Sequence, residues 1–169
     1  TGNSIANETT HFQPIPSFFW MEEPSEKLLH TQAFSTAVMH PAMVYHEEGG
    51  AFSRFIDCAK QHKQIEIWGD RATRWSLIHR DDLAVAYRLL LERPKLTGHF
   101  NDSAQIGVRV ETIAKTIAQK YRSPNGFKVV PAATVRQKYG FWADGPMLDQ
   151  QMESSRLQTL CDWKPVITD

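Results

Sequence analysis

Residues 64–87, QIEIWGDRATRWSLIHRDDLAVAY, decide the fold of this chain more clearly than any other stretch. A short run of alternating apolar residues ends at Gly69, and a second apolar run covers residues 75–79. Two aspartates follow, and apolar residues then recur at helical spacing. This order predicts a strand, a turn, a second strand and a helix that one of the aspartates caps.

The rest of the chain alternates between strand-like and helix-like segments, which predicts an α/β fold. We expect further strands at 37–39, 99–101 and 127–130, and further helices at about 18–34, 51–61, 109–121, 132–139 and 155–160. Irregular chain is expected at 7–17, 45–50 and 140–146. Since no repeat or linker divides the sequence, we expect one α/β domain over residues 1–169 with a small helical C-terminal lobe.

The composition of the chain argues against several classes of function. The 169 residues carry 19 basic and 19 acidic side chains, so a general nucleic-acid binder is not expected. No apolar run reaches the roughly 18 residues that a membrane span needs. Cys58 and Cys161 lie in apolar helical contexts, which favours buried, reduced thiols and a cytoplasmic protein.

Several segments resemble, in order, the extended short-chain dehydrogenase/reductase family, which is the NAD-dependent epimerase/dehydratase family. The closest is His79-Arg-Asp-Asp-Leu-Ala84, which resembles the family's His-Val-Asp-Asp-Leu-Ala turn. The other segments that resemble family motifs are 40–45 (Arg-Pro-x-x-Val-Tyr), 69–74 (Gly-Asp-Gly…Arg), 98–101, 111–114 (Glu-Leu-Ala) and 160–165 (Leu-Gly-Trp-x-Pro). The resemblance implies a partial Rossmann-like, doubly wound sheet that lacks the N-terminal dinucleotide-binding half, with a small helical substrate lobe.

Two departures from the family bear on its redox chemistry. The glycine-rich turn that binds the pyrophosphate in the family lies upstream of the matching region, and Gly49-Gly50 lacks its spacing. NAD(P) is therefore expected only if the full protein contains the N-terminal half, and no cofactor is expected for this chain alone. The family's Tyr-x-x-x-Lys pair aligns with Phe18 and Glu22, and neither can replace it.

The resemblance nominates His40, Tyr45, His46 and Ser4 as catalytic residues, and His40 also as a cofactor contact. The two histidines replace the family's Arg and Gly beside the loop expected to face the substrate, and histidine titrates near neutral pH. Ser4 and Thr1 fall near the family's substrate-binding hydroxyl, so Thr1 is a predicted substrate contact. The alternatives are exposed loop histidines, a packed Tyr45 ring and strand-end hydroxyl groups.

The remaining predicted substrate contacts are Arg74, Trp75 and Trp142. Arg74 occupies the position that contacts substrate phosphate in nucleotide-sugar members, and a guanidinium fork suits that role. The alternative is a surface pair with Asp70. Trp75 and Trp142 suit the walls of an apolar pocket, with core packing as the alternative. No group of His, Cys, Asp or Glu residues has metal-ligand spacing, so no metal site is expected.

These observations favour the substrate-binding part of a reductase, epimerase or dehydratase that acts on a small organic metabolite. Two alternatives stay open: a cofactor-independent isomerase, lyase or cyclase on the same scaffold, and a non-catalytic binding or scaffold protein. The chain is expected to be a piece of a longer protein or a short protein that has lost its N-terminal half. We expect the missing half or a second copy as partner, because an isolated half-sheet has an unpaired edge.

Overall fold

The computed structural model describes residues 4–11, 13–31 and 33–168, without the side chain of Ser17. Strands and helices alternate along this part of the chain. The strands are β1 (Ala37–Pro41), β2 (Met43–His46), β3 (Gly49–Gly50), β4 (Ile65–Trp68), β5 (Arg74–His79), β6 (Gly98–Asp102), β7 (Gln105–Arg109) and β8 (Phe127–Val130). The α-helices are α1 (Glu22–Leu29), α2 (Ser53–Lys60), α3 (Arg80–Leu91), α4 (Val110–Lys120), α5 (Ala132–Tyr139), α6 (Asp144–Met147) and α7 (Ser155–Cys161). Two 3-10 helices cover Pro16–Met21 and Phe141–Ala143.

The strands form three small sheets. β1 pairs with β6 and β4 pairs with β8, both in parallel. The third sheet has the order β3-β2-β5-β7, in which β2 and β5 are parallel and the other pairs antiparallel. β1 and β2 follow each other with only Ala42 between them, so this stretch of chain pairs first with β6 and then with β5.

The stretch at 64–87 folds as predicted, except for its cap. β4, β5 and α3 follow in the expected order. The cap of α3 is His79, whose Nδ1 accepts a hydrogen bond from the N–H of Asp81 (3.2 Å). Asp81 and Asp82 lie inside the first turn, where negative charge favours the helix dipole.

The loop predicted at 45–50 is wrong, because β2 and β3 form a tight hairpin there. Tyr45 pairs with Gly50, and Gly50 has φ +67, a conformation that favours glycine. β7 was not predicted, since a glycine interrupts its short apolar pattern. The helix predicted at 18–34 is a 3-10 helix followed by α1, in which Pro24 is the third residue and costs no hydrogen bond.

Two main apolar clusters hold the fold together. In one, α2 and α4 pack against β4 and the mixed sheet around Phe55, Ile67 and Trp75. In the other, α3 and α7 pack around Phe100 and Trp163. Among the described helices, none is long and apolar enough to cross a membrane.

The C-terminal segment is fixed to α3 through polar contacts. The indole N–H of Trp163 donates to the backbone carbonyl of Asp82 (3.2 Å). The Asp82 carboxylate in turn accepts hydrogen bonds from the N–H groups of Val166 (3.1 Å) and Ile167 (2.9 Å). Asp82 therefore lies at a strand-to-helix junction, as the sequence predicts, but it anchors the end of the described chain.

Candidate functional site

His40 lies near the end of β1 in contact with another histidine. Its Nε2 atom is 2.8 Å from Nδ1 of His99, and the two rings stack with their centroids 5.0 Å apart. Burial, together with His99, holds the pKa of His40 below its ordinary value of 6.5. A histidine in this environment is neutral at physiological pH and is able to accept a proton.

Tyr45 is a packed ring, which is the alternative that the sequence left open. It is buried, stacks on Phe52 (centroids 4.8 Å apart) and meets the edge of His79 (5.4 Å). Its hydroxyl group donates to the carbonyl of Ile167 (3.4 Å). Nε2 of the buried His79 faces the Glu47 carboxylate at 3.3 Å. These contacts fix the orientation of the Tyr45 ring in β2 and of the His79 ring at the end of β5.

His46 belongs to the turn between β2 and β3. Its Nδ1 atom accepts a hydrogen bond from the N–H of Glu48 (3.3 Å). The carboxylate of Glu47 faces His79, so it does not converge on His46 as the sequence suggested. This hydrogen bond of His46 therefore lies within the hairpin.

Arg74 forms an ion pair with Asp149, not with Asp70. Its Nε and Nη2 atoms donate to the two oxygens of that carboxylate at 3.0 and 2.6 Å, and its backbone N–H donates to the same group (2.8 Å). The hydrogen bond from Arg74 holds the pKa of Asp149 below its usual range. The guanidinium fork thus binds a carboxylate of this chain, in the geometry that would otherwise suit a phosphate.

The two predicted tryptophans differ in their surroundings. Trp75 is buried, stacks on Phe55 (centroids 5.8 Å apart) and donates its indole N–H to the carbonyl of Pro146 (2.9 Å). It is therefore part of the core. Trp142 is 56% exposed, with its ring edge toward Trp68 at 5.8 Å. Trp142 alone of this pair is accessible to a ligand.

The positions aligned with the family's tyrosine and lysine do not form an acid–base pair. The Phe18 ring comes within 3.3 Å of the place that a Cβ on Gly145 would take, and Glu22 opens α1. Glu23 and Lys27, one helical turn apart in α1, form an exposed ion pair (2.6 Å). Of the N-terminal candidates, Ser4 is exposed, and Thr1 lies outside the described residues.

The predicted site residues lie in separate places. Four residues lie between His40 and Tyr45, so five steps of extended chain separate them, a span of up to about 17 Å. Arg74 and Trp75 begin β5, whereas His79 ends it. Sequence reasoning missed the partners of His40, because the pairing of β1 with β6 that brings His99 close has no local signal.

Asp102 is a second residue that the sequence did not single out. It is fully buried at the end of β6, and neither carboxylate oxygen has a hydrogen-bond partner in the part of the chain that the structure describes. Burial, together with the charge of Asp82, raises the pKa of Asp102 to about 8. The only signal in the sequence was a charged residue directly after the predicted strand 99–101.

The glycine pair Gly49-Gly50 does not fit the pyrophosphate of a dinucleotide. Both residues pair with β2, and a Cβ on Gly50 would lie 2.5 Å from the carbonyl oxygen of Val44. Glycine is needed there for close strand pairing. Within residues 4–11, 13–31 and 33–168, no group of three or more His, Cys, Asp or Glu residues could hold a metal ion.

Comparisons with known proteins agree on the scaffold. Residues 30–107 match the family described as the NAD dependent epimerase/dehydratase family. No curated protein matches the chain. The human epimerase family protein SDR39U1 (isoform 2), solved with NADPH, superposes with a TM-score of 0.81 at 17% identity, over 99% of this chain and 57% of that one.

Two bacterial structures are similar to a comparable degree. The dTDP-glucose 4,6-dehydratase of Bacillus anthracis, in complex with NAD, has a TM-score of 0.79 at 12% identity and covers 99% of this chain and 53% of its own. The UDP-glucose 4-epimerase of Thermotoga maritima, with UDP-glucose, has a TM-score of 0.76 at 18% identity, with 96% and 52% covered.

This chain spans about half the length of the solved structures that it matches. At these identities the superpositions establish the fold alone. Residues 30–107, the segment that contains β1 to β6, match the model of the NAD dependent epimerase/dehydratase family, and the chain has a partial Rossmann-like α/β fold.

Proposed function

We propose that this chain is the substrate-binding part of an enzyme of the epimerase, dehydratase or reductase type that acts on a small organic metabolite. His40 would be its acid–base group. NAD(P), where the reaction uses it, would be held by a dinucleotide-binding half outside this chain, which would also be the partner that covers it. The free thiols of Cys58 and Cys161 support a cytoplasmic location.

The observation that carries this proposal is the environment of His40. It lies within the family-matched segment, is partly buried, and its Nε2 atom is hydrogen-bonded to His99. A neutral imidazole with one nitrogen fixed by a neighbour suits general acid–base catalysis. The engagement of Arg74 with Asp149 favours a substrate without a phosphate at that position, and so a non-sugar metabolite over a nucleotide sugar.

A cofactor-independent isomerase, lyase or cyclase is the second candidate function. It is favoured by Phe18 and Glu22, which align with the family's tyrosine and lysine. Phenylalanine has no proton to transfer, and a carboxylate would raise the pKa of a phenol where lysine lowers it. In that reaction His40 would both remove and return a proton. A non-catalytic binding protein would retain the fold without needing His40.

The test compares the full protein with a His40→Asn variant in an extract of cellular metabolites, with and without NADPH. We expect the substrate to be consumed by the unaltered protein and its turnover to fall by about 10²-fold or more in the variant. His11→Gln, in an exposed loop, is the matched control and should turn over normally. Identical metabolite profiles for the unaltered protein and His40→Asn would favour the non-catalytic alternative.

A fluorescence titration with NADPH separates the two catalytic versions. We expect this chain alone to bind NADPH weakly or not at all, because its described residues form no pyrophosphate site. Consumption of substrate without NADPH would identify the cofactor-independent version. Tight binding of NADPH to this chain alone would contradict a cofactor site located elsewhere.

A further inference from the structure

A cleft of about 300 Å³ opens between α2 and the start of the sheet that β4 and β8 form. It is lined by Cys58 of α2, by Lys63 and Gln64 of the following loop, by Glu66 of β4 and by Lys128 of β8. The chain as a whole has no net charge, whereas two lysines and one glutamate line this cleft. Its volume lies at the lower end of the range of ligand pockets, which suits a small group.

Arg54 adds a third cation beside the cleft. It lies one helical turn before Cys58 on α2, and its Nη1 atom donates to the backbone carbonyl of Glu66 (2.5 Å). The central carbon of the guanidinium is 4.0 Å from the centroid of the Trp68 ring and 4.7 Å from that of Phe55. These contacts hold the guanidinium of an α2 side chain against β4.

Among the residues that the structure describes, no carboxylate forms an ion pair with Arg54. The hydrogen bond to Glu66 uses one of its five N–H donors, and the acceptor is an uncharged carbonyl. Burial lowers the pKa of the guanidinium below its usual range, although Cys58 and Glu66 act in the opposite direction. A partly buried cation without an ion-pair partner is stabilised by a negatively charged ligand.

Glu66 is the one acidic residue among the described residues that line the cleft. Its carboxylate is 3.3 Å from Nζ of Lys128. Its negative charge also favours the charged forms of Arg54 and of Lys138 on α5. One carboxylate therefore faces three cations and cannot neutralise them.

Lys63 is a fourth cation at this place. Its backbone N–H donates to the carbonyl of Cys58 (2.9 Å) in a turn where His62 has φ +53, so the loop is held against the end of α2. Part of its charge compensates the negative end of the helix dipole. Its Nζ atom donates to the uncharged side chain of Gln61 (2.8 Å). Four cations, from α2, the loop after it, β8 and α5, thus lie around one carboxylate.

We propose that this cleft binds a phosphate group, either free or carried by a small organic molecule. A guanidinium fork and separate ammonium groups that approach from different elements suit a tetrahedral group with several oxygens. A phosphate carries a charge of about −1.5 to −2 near neutral pH, which would balance the excess of positive charge in the cleft.

This site is separate from the residues discussed above. It lies at the start of β4 and β8, whereas His40 belongs to the sheet of β1 and β6, and Arg74 begins β5. The binding of phosphate here therefore does not depend on the proposed function, and its test needs no substrate.

The site is tested by an NMR titration of the ¹⁵N-labelled full protein with inorganic phosphate at constant ionic strength. We expect saturable shifts of the Nε–H signal of Arg54 and of the backbone N–H signals of Lys63 and Lys128. A parallel titration with glycerol phosphate identifies the carrier of the group. Tighter binding than that of phosphate would indicate an organic ester, and equal or weaker binding would indicate the free ion.

The variant Glu66→Gln should strengthen binding, a result that a misfolded variant would not give. The change removes the negative charge that competes with the phosphate for Lys128. We expect the affinity for phosphate to rise by about threefold to tenfold at low salt. Glu92→Gln, which removes the ion-pair partner of Arg88 on α3, is the matched control and should leave the affinity unchanged.

The double variant Lys63→Gln/Lys128→Gln removes two cations and should lower the affinity by about tenfold or more. Its control is Lys27→Gln/Lys164→Gln, which changes two exposed lysines that form ion pairs on other elements. Unchanged affinity in Glu66→Gln or in the double variant of the cleft would overturn the proposed site. Shifts of the same size with sodium chloride at the same ionic strength would overturn it as well.

Discussion

Asp102 is a carboxyl group that the fold keeps away from water. Its pKa is 3.8 in an ordinary setting and about 8 in the folded protein. Between these values the folded state holds one more proton than the unfolded state, so the free energy of unfolding falls as the pH rises. The stabilisation is complete below pH 3.8, the pKa of the carboxyl in the unfolded state. It is lost as the pH rises to about 8, the pKa in the folded state.

The variant Asp102→Asn cannot ionise, so it should gain stability relative to the unaltered protein as the pH rises. We expect the difference in free energy of unfolding to change by about 3–4 kcal/mol between pH 5 and 8, in favour of the variant. Urea unfolding at four pH values in this range measures it. Asp162→Asn, at an exposed aspartate paired with Lys164, should give a constant difference. A constant difference for Asp102→Asn as well would show that its carboxyl is already ionised in the folded protein.

Residue contacts could be predicted where they are local in sequence. The ion pair between Glu23 and Lys27, for example, follows from their spacing of four residues along one helix. Asp149, the partner of Arg74, lies 75 positions away, and only the packing of the chain after α5 brings it to β5. The pairing of His40 with His99 spans 59 positions and depends in the same way on strand register.

Elements were predictable where their pattern was long or was bounded by turn residues. The stretch 64–87 contains two strands and a helix, and all three were predicted, although the residue that caps the helix was not. The hairpin of β2 and β3 was not, because Glu47-Glu48-Gly49-Gly50 reads as a polar loop and its two-residue strand has no alternating pattern. Close approach of the two backbones, which only glycine permits, creates this strand.

The geometry of the hairpin predicts that a substitution of Gly50 destabilises the protein. Its φ of +67 strains any other residue, and a Cβ there would meet both Val44 and Tyr45. The left-handed conformation costs about 1–2 kcal/mol, and the overlap with backbone atoms adds about 1–3 kcal/mol. Gly50→Ala should therefore destabilise the chain by at least about 2 kcal/mol in urea unfolding.

Gly126 is a matched control for this substitution. Its φ is +57, and a Cβ there would have no atom within 4 Å. Gly126→Ala should lose about 1–2 kcal/mol, from the backbone conformation alone. The difference between the two variants isolates the close approach of β3 to β2. Equal losses would mean that the hairpin opens to accommodate the added methyl group.

At the scale of the whole molecule, the described chain leaves apolar surface and a strand edge uncovered. β1 pairs only with β6 within the described residues, and a parallel sheet of two strands is rarely left exposed. Phe19 and Trp20 are 58% and 70% exposed, and Phe141 and Trp142 are 75% and 56% exposed. The Phe18 ring lies against Gly145, so the segments that carry these two aromatic pairs are in contact. The family resemblance suggested such an uncovered face, although not which residues form it.

We therefore expect this chain, by itself, to associate with a second copy. Its mass in sedimentation velocity at micromolar concentration should exceed the 19.3 kDa of one chain. The double variant Trp20→Glu/Trp142→Glu should shift the distribution toward the monomer, since it places charge where apolar contact is expected. Leu91→Glu is the control, because Leu91 is 81% exposed on another element, α3. A monomer at all concentrations would show that neither the β1 edge nor the aromatic surface drives association. An equal effect of Leu91→Glu would place the contact on another face of the molecule.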